Sequence, residues 1–355
     1  MNMATPLAAC DLDHVLQHTQ NLWEPLRRGR LFLTGGTGFF GAWLVESFCH
    51  INDALGLGAE AVVLTRDPAA AGSKFPHLSG RGDLEFIKGD IRDFCFPDGD
   101  FSHVIHAATT SGAPVPPHEM LETIVGGTQR VIDFIAPRKG CRLLYISSGA
   151  VYGPQPPSLT HIPEEYPGAP DSLDVSAAYG NGKRAAEHLC AVAAMQSGFE
   201  FVAARCFAFI GPHLPLDAHF AIGNFIRDAM RGGPIRVGGD GTPFRSYLYA
   251  ADLAVWLWTL LFRGVSARAY NVGSSEDMTI AAIASEVARA LDIVQPVEIA
   301  RDAISGRPPS RYVPSVERAG RELNLSVRIG LQESIRRTAA WHKAPQTIVP
   351  ESTRG

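Results

Sequence analysis

Tyr179 and Lys183 stand four residues apart in a stretch, 179–194, that reads as a helix, so a phenol and an ammonium share one face a turn apart. A phenol with a pKa near ~10 is a poor base at neutral pH, but an adjacent cation stabilises the phenolate and brings that value down. Such a pair can take a proton from, or return one to, an alcohol or sugar oxygen while hydride moves at the neighbouring carbon. Ser147 and Ser148 end an apolar run at 142–148, and Ser148 is placed to hydrogen-bond the same oxygen. The spacing alone also describes an ordinary helix contact; a second constellation upstream gives it weight. Gly35, Gly38 and Gly41 follow the apolar run 31–33 at three-residue steps and lead into a helix-like stretch at 42–48. Strand, glycine turn and helix in that order make an anion cradle. Gly35 permits the turn, Gly38 lets a pyrophosphate approach the backbone, and Gly41 lets the helix pack close. The amides and partial positive charge at the helix start then face the phosphates. Thr37, Phe39 and Phe40 are expected to line the same dinucleotide.

These groups meet only if a sheet brings them together. Beyond the cradle, 61–65, 84–88, 103–109 and 142–148 read as further strands, with a helix before the last of them over 120–135. The alternation, with short connections, predicts a parallel sheet covered by helices on both faces, whose strand ends line a ligand crevice. Arg66 ends the second strand, Asp90 and Ile91 follow the third, and Ala107, Ala108 and Thr109 end the fourth; all are candidate cofactor ligands. An acid at the end of the second strand would suit the ribose diol of NAD, an arginine the 2′-phosphate of NADP. With Thr65-Arg66 there and the first acid at Asp67, NADP is placed ahead of NAD, although Arg66 could stack on the adenine of either. Asp90 could bond the adenine amino group or simply make a turn. His103 and His106 are read as packing residues. A proline-rich loop spans 154–170, and loops of that length are usually functional or mobile.

The 355 residues are 46% hydrophobic and 19% charged with a net charge of −4, which describes a soluble globular protein with material for one large core or two smaller ones. No basic block suggests nucleic acid, and the slight acidity argues against a membrane surface. The six cysteines are scattered without a Cys-x-x-Cys pair and read as reduced thiols in a cytoplasmic protein. Asp11, Asp13, His14 and Gln17 interrupt any signal-like apolar core, and 11–26 is expected to be a helix with Asp11 as a possible N-cap. His213, Asp217 and His219 lie close together, but no fourth ligand is evident and no metal is expected.

The combination resembles the extended short-chain dehydrogenase/reductases of the NAD-dependent epimerase/dehydratase group over roughly residues 30–330. The markers are Thr34-Gly-Gly-Thr-Gly-Phe-Phe-Gly41, Gly89-Asp90, His106-Ala-Ala108, Ser147-Ser-Gly-Ala-Val-Tyr-Gly153, Tyr179-x-x-x-Lys183, Arg205-Cys-Phe-Ala-Phe-Ile-Gly-Pro212, and Gly239-Asp-Gly-Thr-Pro-Phe-Arg-Ser-Tyr-Leu-Tyr-Ala-Ala-Asp252. The resemblance implies a nucleotide-diphosphate sugar as substrate and a homodimer built through helices beside the catalytic one. It casts Tyr179 as acid/base, Lys183 as its partner and cofactor-ribose ligand, and Ser148 as donor to the substrate oxygen. Arg245 and Arg307 would hold the diphosphate, with Asn224 also on the substrate. Four positions depart from the pattern. Dehydratases of the group carry an Asp-Glu pair where this chain has Gly149 and Ala150, which disfavours elimination. Ala208 and Ile124 stand where many relatives carry Asn.

The expected fold is α/β, a Rossmann-type doubly wound parallel sheet with a smaller C-terminal α/β substrate-binding lobe. Residues 1–29 would be a helical extension, 30–205 with 236–264 the NAD(P)-binding domain, 206–235 with 265–345 the lobe, and 346–355 a disordered tail. The expected function is hydride transfer at a sugar carbinol or ketone, as a 4-ketoreductase or 4-epimerase. The alternatives are a dehydratase or uronic acid decarboxylase of the same family, or a non-catalytic NAD(P)-sensing regulator.

Overall fold

Alternation along the first strand decides how the molecule is layered. Leu31 and Leu33 point to one side of the sheet and Phe32 to the other, and each side carries its own apolar core. The computed structural model describes residues 5–109, 115–218, 220–304, 306 and 308–344. In chain order its strands are β1 (Arg30–Thr34), β2 (Glu60–Thr65), β3 (Leu84–Lys88), β4 (His103–His106), β5 (Arg142–Ser148), β6 (Glu200–Cys206), β7 (Phe209–Ile210), β8 (Ile235–Val237), β9 (Phe244–Arg245), β10 (Leu248–Tyr249), β11 (Arg268–Val272), β12 (Met278–Thr279), β13 (Val297–Ile299) and β14 (Arg311–Tyr312). Its α-helices are α1 (Ala9–Thr19), α2 (Phe39–Leu55), α3 (Pro68–Lys74), α4 (Pro117–Leu121), α5 (Gly127–Ile135), α6 (Ala178–Ser197), α7 (Ala221–Met230), α8 (Ala250–Arg263), α9 (Ile280–Ala290), α10 (Glu317–Leu323) and α11 (Leu331–Lys343).

Seven strands form one parallel sheet in the order β11-β6-β5-β4-β1-β2-β3. The order reverses between β1 and β4, so their carboxyl ends open the crevice in which doubly wound sheets take their ligands. One face is covered by α1, α2 and α8, where Trp23, Trp43, Trp256 and Trp258 are fully buried. Every residue from Ala250 to Leu261 of α8 is buried, as befits a helix that is apolar nearly all round. The other face packs Phe32, Phe94 and Phe134 under α5 and α6. No helix among the described residues is long and apolar enough to cross a membrane.

Several expectations change. Asp11 is not a cap: it lies inside α1, buried, and accepts hydrogen bonds from Tyr249 and Arg337, each at 2.7 Å, so its charge fastens the N-terminal helix to α11 and to the end of β10. The helix expected over 120–135 is broken by a π-helical turn, Glu122–Gly126, a distortion often found at functional sites. The strand Arg268–Val272, placed in the lobe from sequence, is the edge of the main sheet because it returns from α8 to pair with β6. Conversely β8, placed mostly with the cofactor domain, pairs with β13. The expected tail at 346–355 lies outside the described residues. All six cysteines are free thiols.

Candidate active site

The glycine loop is tight for reasons that each glycine shows separately. Gly35 has φ +76°, and a Cβ there would lie 2.7 Å from the backbone of Ala107 and Ala108, so the loop lies directly on the end of β4. A Cβ on Gly41 would come within 2.2 Å of the Gly35 carbonyl, so only glycine lets α2 start this close to the turn. Gly38 differs: its Cβ would meet only the Gly35 carbonyl, at 3.3 Å, and its outer side is open. It also opens α2 without any side-chain cap, leaving first-turn amides for a ligand. Thr109 Oγ1, at the end of β4, is buried and has no partner among the described residues. An open, uncapped helix start with an orphaned hydroxyl beside it fits the pyrophosphate and ribose of a dinucleotide.

Neighbouring groups brace this floor. Thr34 Oγ1 accepts from the Ala108 amide at 3.1 Å and pairs with His106 Nδ1 at 2.8 Å, while His106 Nε2 faces Thr128 Oγ1 at 3.1 Å. Burial drives the His106 pKa down to about 3, so the ring is a neutral brace and not an acid. Lys74 Nζ donates to the Thr37 carbonyl at 2.6 Å. At the end of β2, Arg66 is exposed, and the Asp67 carboxylate caps α3 by accepting from the Ala70 amide at 3.0 Å. Asp90 is held by the Arg92 guanidinium at 2.8 Å and by the Arg92 amide, which keeps its carboxyl below the usual range. Ile91 is buried, and Phe40 packs edge-on against Phe209.

The catalytic candidates come from the next strand and helix. Ser148 ends β5, and its hydroxyl accepts from the Ala150 amide at 3.1 Å. Side chains alternate along the strand, so Ser147 points the other way and bonds Glu187, which is ion-paired with Arg205. Tyr179 and Lys183 sit on α6 one turn apart; Tyr179 keeps part of its surface exposed, and α6 packs so close to the end of β5 that a Cβ on Gly180 would lie 2.7 Å from the Ala150 carbonyl. The electrostatics differ from the expectation of a cation-lowered phenol. Lys183 is buried, donates to the Ile146 carbonyl at 2.8 Å, and has its Nζ 6.0 Å from the centre of the Tyr179 ring. Burial lowers the Lys183 pKa to about 8. Burial also raises the Tyr179 pKa, with Ser148 acting in the opposite direction. Tyr179 is therefore held as a neutral phenol in the protein alone.

Burial of Lys183 also ties both stability and rate to pH. Folded Lys183 releases its proton at a lower pH than the unfolded chain, so its burial costs the fold most below pH 8 and less as pH rises toward the ordinary lysine value. If the ammonium is the required form, turnover falls on the alkaline side with an apparent pKa of about 8. A rate that stays flat through that region in a pH profile would remove Lys183 from this role.

Tyr312 on β14 was not singled out by sequence. Its ring is 4.7 Å from that of Phe207, and a Cβ on Gly149, the residue after Ser148, would lie 2.8 Å from its oxygen. The available signal was indirect, namely a glycine where relatives carry a side chain. Arg245, its register partner on β9, has its guanidinium 6.0 Å from the Tyr312 ring and donates to the Phe244 carbonyl. Asn224 on α7 accepts from Arg227 at 2.8 Å. Arg307 and His219 lie outside the described residues. His213 bonds Glu46 at 3.1 Å, and Glu46 also bonds His77.

Comparison with known proteins bears on the family and the fold. UDP-glucuronic acid decarboxylase 1 of Xenopus tropicalis is 27% identical over 334 residues, spanning 91% of this chain and 76% of that protein. UDP-glucuronic acid decarboxylase 6 of Arabidopsis thaliana is 29% identical over 323 residues, spanning 88% and 90%. Among solved structures, the UDP-glucuronic acid 4-epimerase of Bacillus cereus in complex with NAD has a TM-score of 0.73 at 21% identity, covering 88% of this chain and 98% of that one. The UDP-glucose 4-epimerase of Thermotoga maritima with UDP-glucose gives 0.73 at 18% identity, with the same coverage. At such identities the solved structures speak for the fold alone. A model of the NAD dependent epimerase/dehydratase family matches residues 31–273, from the first strand of the cradle through the edge strand β11. With the glycine cradle, Ser148 and the Tyr179–Lys183 pair all inside that span, the chain belongs to the NAD dependent epimerase/dehydratase family, as an enzyme of the extended short-chain dehydrogenase/reductase type.

Proposed function

We propose that this enzyme moves hydride between a nicotinamide dinucleotide and a ring carbon of a nucleotide-linked sugar, with Tyr179 exchanging the proton on that carbon's oxygen. The carrying observation is that the face of α6 bearing Tyr179 and Lys183 packs on the end of β5, where Ser148 lies, in the same sheet whose strand ends hold the glycine cradle. The bound dinucleotide supplies the hydride acceptor or donor. Ser148 orients the sugar oxygen, Tyr179 gives or takes its proton, and the cradle amides and Thr109 hold the dinucleotide in place.

The fate of the keto sugar after hydride transfer depends on positions 149 and 150. Neither Gly149 nor Ala150 can act as acid or base, so elimination of a ring hydroxyl has no catalyst there. Two outcomes need none. One is net reduction or epimerisation at C4, expected from the serine motif. The other starts from a uronic acid: once C4 is a ketone, the C6 carboxylate is β to it, and the C5–C6 electrons can pass toward the C4 oxygen as CO2 leaves. A proton then enters at C5 and hydride returns to C4. The curated relatives, which are decarboxylases, favour this second outcome over the first. Incubation with UDP-glucuronate and with a nucleotide-linked 4-keto sugar separates them. Decarboxylation releases CO2 without net consumption of cofactor, reduction consumes one reduced cofactor per product, and epimerisation does neither. Absence of all three across a panel of nucleotide sugars would refute the proposal.

For the cofactor we place NADP ahead of NAD. Arg66 follows Thr65 at the end of β2, and the Asp67 carboxylate is engaged in capping α3, so no acid there is directed to a ribose diol. Several of the similar solved structures are complexes with NAD, so the choice needs direct titration. Arg66→Ala is expected to weaken NADP binding about tenfold, as loss of a guanidinium–phosphate pair does, and to leave NAD within about twofold. Equal loss for both dinucleotides would show that Arg66 does not read the 2′-phosphate.

A further inference from the structure

Lys74 is the last residue of α3, and its ammonium donates to the Thr37 carbonyl of the glycine loop at 2.6 Å. An ammonium has three hydrogens, so two remain. No carboxylate among the described residues is ion-paired with it: Glu46, whose field reaches it, is engaged by the Leu7 amide at 2.9 Å, by His77 at 3.0 Å and by His213 at 3.1 Å. Lys74 is half-buried, and burial lowers its pKa, so the charge is kept beside the loop at a net cost. Nor is the side chain loosely anchored. Asp67 caps α3 at one end, and at the other Phe75 is buried and stacks on Phe86 of β3 with ring centres 6.0 Å apart.

The side of the cradle that Lys74 reaches is the side next to β2. A Cβ on Gly36, the residue before Thr37, would lie 2.3 Å from the Val63 side chain of that strand. In doubly wound folds the end of this second strand reads the ribose of the adenosine half. Arg66 stands at that end, one residue before the Asp67 cap of α3. The chain therefore runs from one cation through a short helix to a second cation that turns back onto the cradle.

We propose that Lys74 is a second ligand of the 2′-phosphate of NADP and, with Arg66, forms the site that prefers it to the bare ribose diol of NAD. The two cations contribute differently. Arg66 offers a planar fork but is exposed, so water and salt screen its attraction. Lys74 is a point charge that Thr37 holds in place at a half-buried position, where screening is weaker. A phosphate monoester, carrying close to two negative charges at neutral pH, gains from both; an uncharged diol gains from neither. This inference deepens the cofactor reading above and rests on it.

Adenosine 2′,5′-bisphosphate and 5′-AMP differ by the 2′-phosphate alone, and binding them needs neither a sugar nor turnover. Lys74→Gln keeps a donor for the Thr37 carbonyl and removes the charge. By calorimetric titration it is expected to weaken the bisphosphate about tenfold, as loss of a charge-assisted hydrogen bond does, and to leave 5′-AMP within about twofold. A preference unchanged from wild type overturns the proposal. So does equal loss of both probes, which would mark a tie that merely shapes the loop. A measurement on the wild type serves if the variant does not fold. Acetylation of Lys74 by acetic anhydride, read by mass spectrometry, is expected to slow with saturating bisphosphate and to change little with saturating 5′-AMP; equal protection by the two, or none, overturns the proposal as well. A wild type that binds both probes alike refutes the NADP reading together with this inference. A wild-type preference that survives in Lys74→Gln overturns this inference and leaves that reading standing on Arg66. Failure to turn over any nucleotide sugar touches neither.

Discussion

Tyr179→Phe is expected to cut turnover by about 10²- to 10⁴-fold, the range usual for loss of a general acid or base, while dinucleotide binding stays within about twofold. The ring remains, so the packing of α6 against the sheet is kept; only the group that exchanges the proton is lost. The phenol has no second task that would confuse the result. It is half-buried at the crevice, and Lys183 bonds the Ile146 carbonyl without help from Tyr179. The same variant separates an enzyme from a regulator that merely senses the dinucleotide, since a sensor would keep its response. Steady-state rates beside a binding titration check both halves, and unchanged turnover would remove Tyr179 from the mechanism.

Gly38→Ala and Gly41→Ala are expected to fail in different ways. A methyl on Gly41 would be driven into the Gly35 carbonyl at 2.2 Å and the Gly36 Cα at 2.4 Å, so α2 must move away from the loop. That variant should lose both thermal stability and dinucleotide binding. A methyl on Gly38 meets only one carbonyl, at 3.3 Å, and otherwise projects where the pyrophosphate approaches. It should melt within a few degrees of the parent yet bind dinucleotide at least about tenfold more weakly, as expected when phosphate is kept from helix-terminal amides. Thermal melts paired with dinucleotide titrations read the contrast. Full affinity in folded Gly38→Ala would mean that phosphate does not approach this loop.

The cradle and the Tyr179–Lys183 pair were legible because both are local: their chemistry is set by spacings of three and four residues. The strands of the main sheet were legible as far as β6 because each is an apolar or alternating run that lies between turn residues or a helical stretch. Other features depend on contacts that no local pattern records. For the edge strand β11 and the lobe strand β8, the sequence shows strand character, but which sheet each joins is decided by what it pairs with. Asp11 looked like a helix cap because caps and buried ion-pair partners share the same residue types; the partners that settle its role, Tyr249 and Arg337, lie far along the chain. The Tyr179 phenol was expected to be lowered by Lys183. Spacing places two side chains on one face but does not say that the ammonium is buried and turned to the Ile146 carbonyl. Tyr312 was invisible for a similar reason: it sits in a two-residue strand without a motif, and its approach to Gly149 exists only once the small sheet is assembled.

Hydride exchange at a sugar ring carbon can be traced atom by atom. A nucleotide sugar carrying deuterium at the reacting carbon is mixed with excess enzyme and oxidised dinucleotide and quenched within the first turnover, and the nicotinamide is recovered for mass spectrometry. Label is expected on the nicotinamide ring with the wild type and to be nearly absent with Tyr179→Phe. First-turnover nicotinamide that carries no label, together with a deuterated sugar that reacts as fast as the unlabelled one, would contradict hydride transfer to the cofactor.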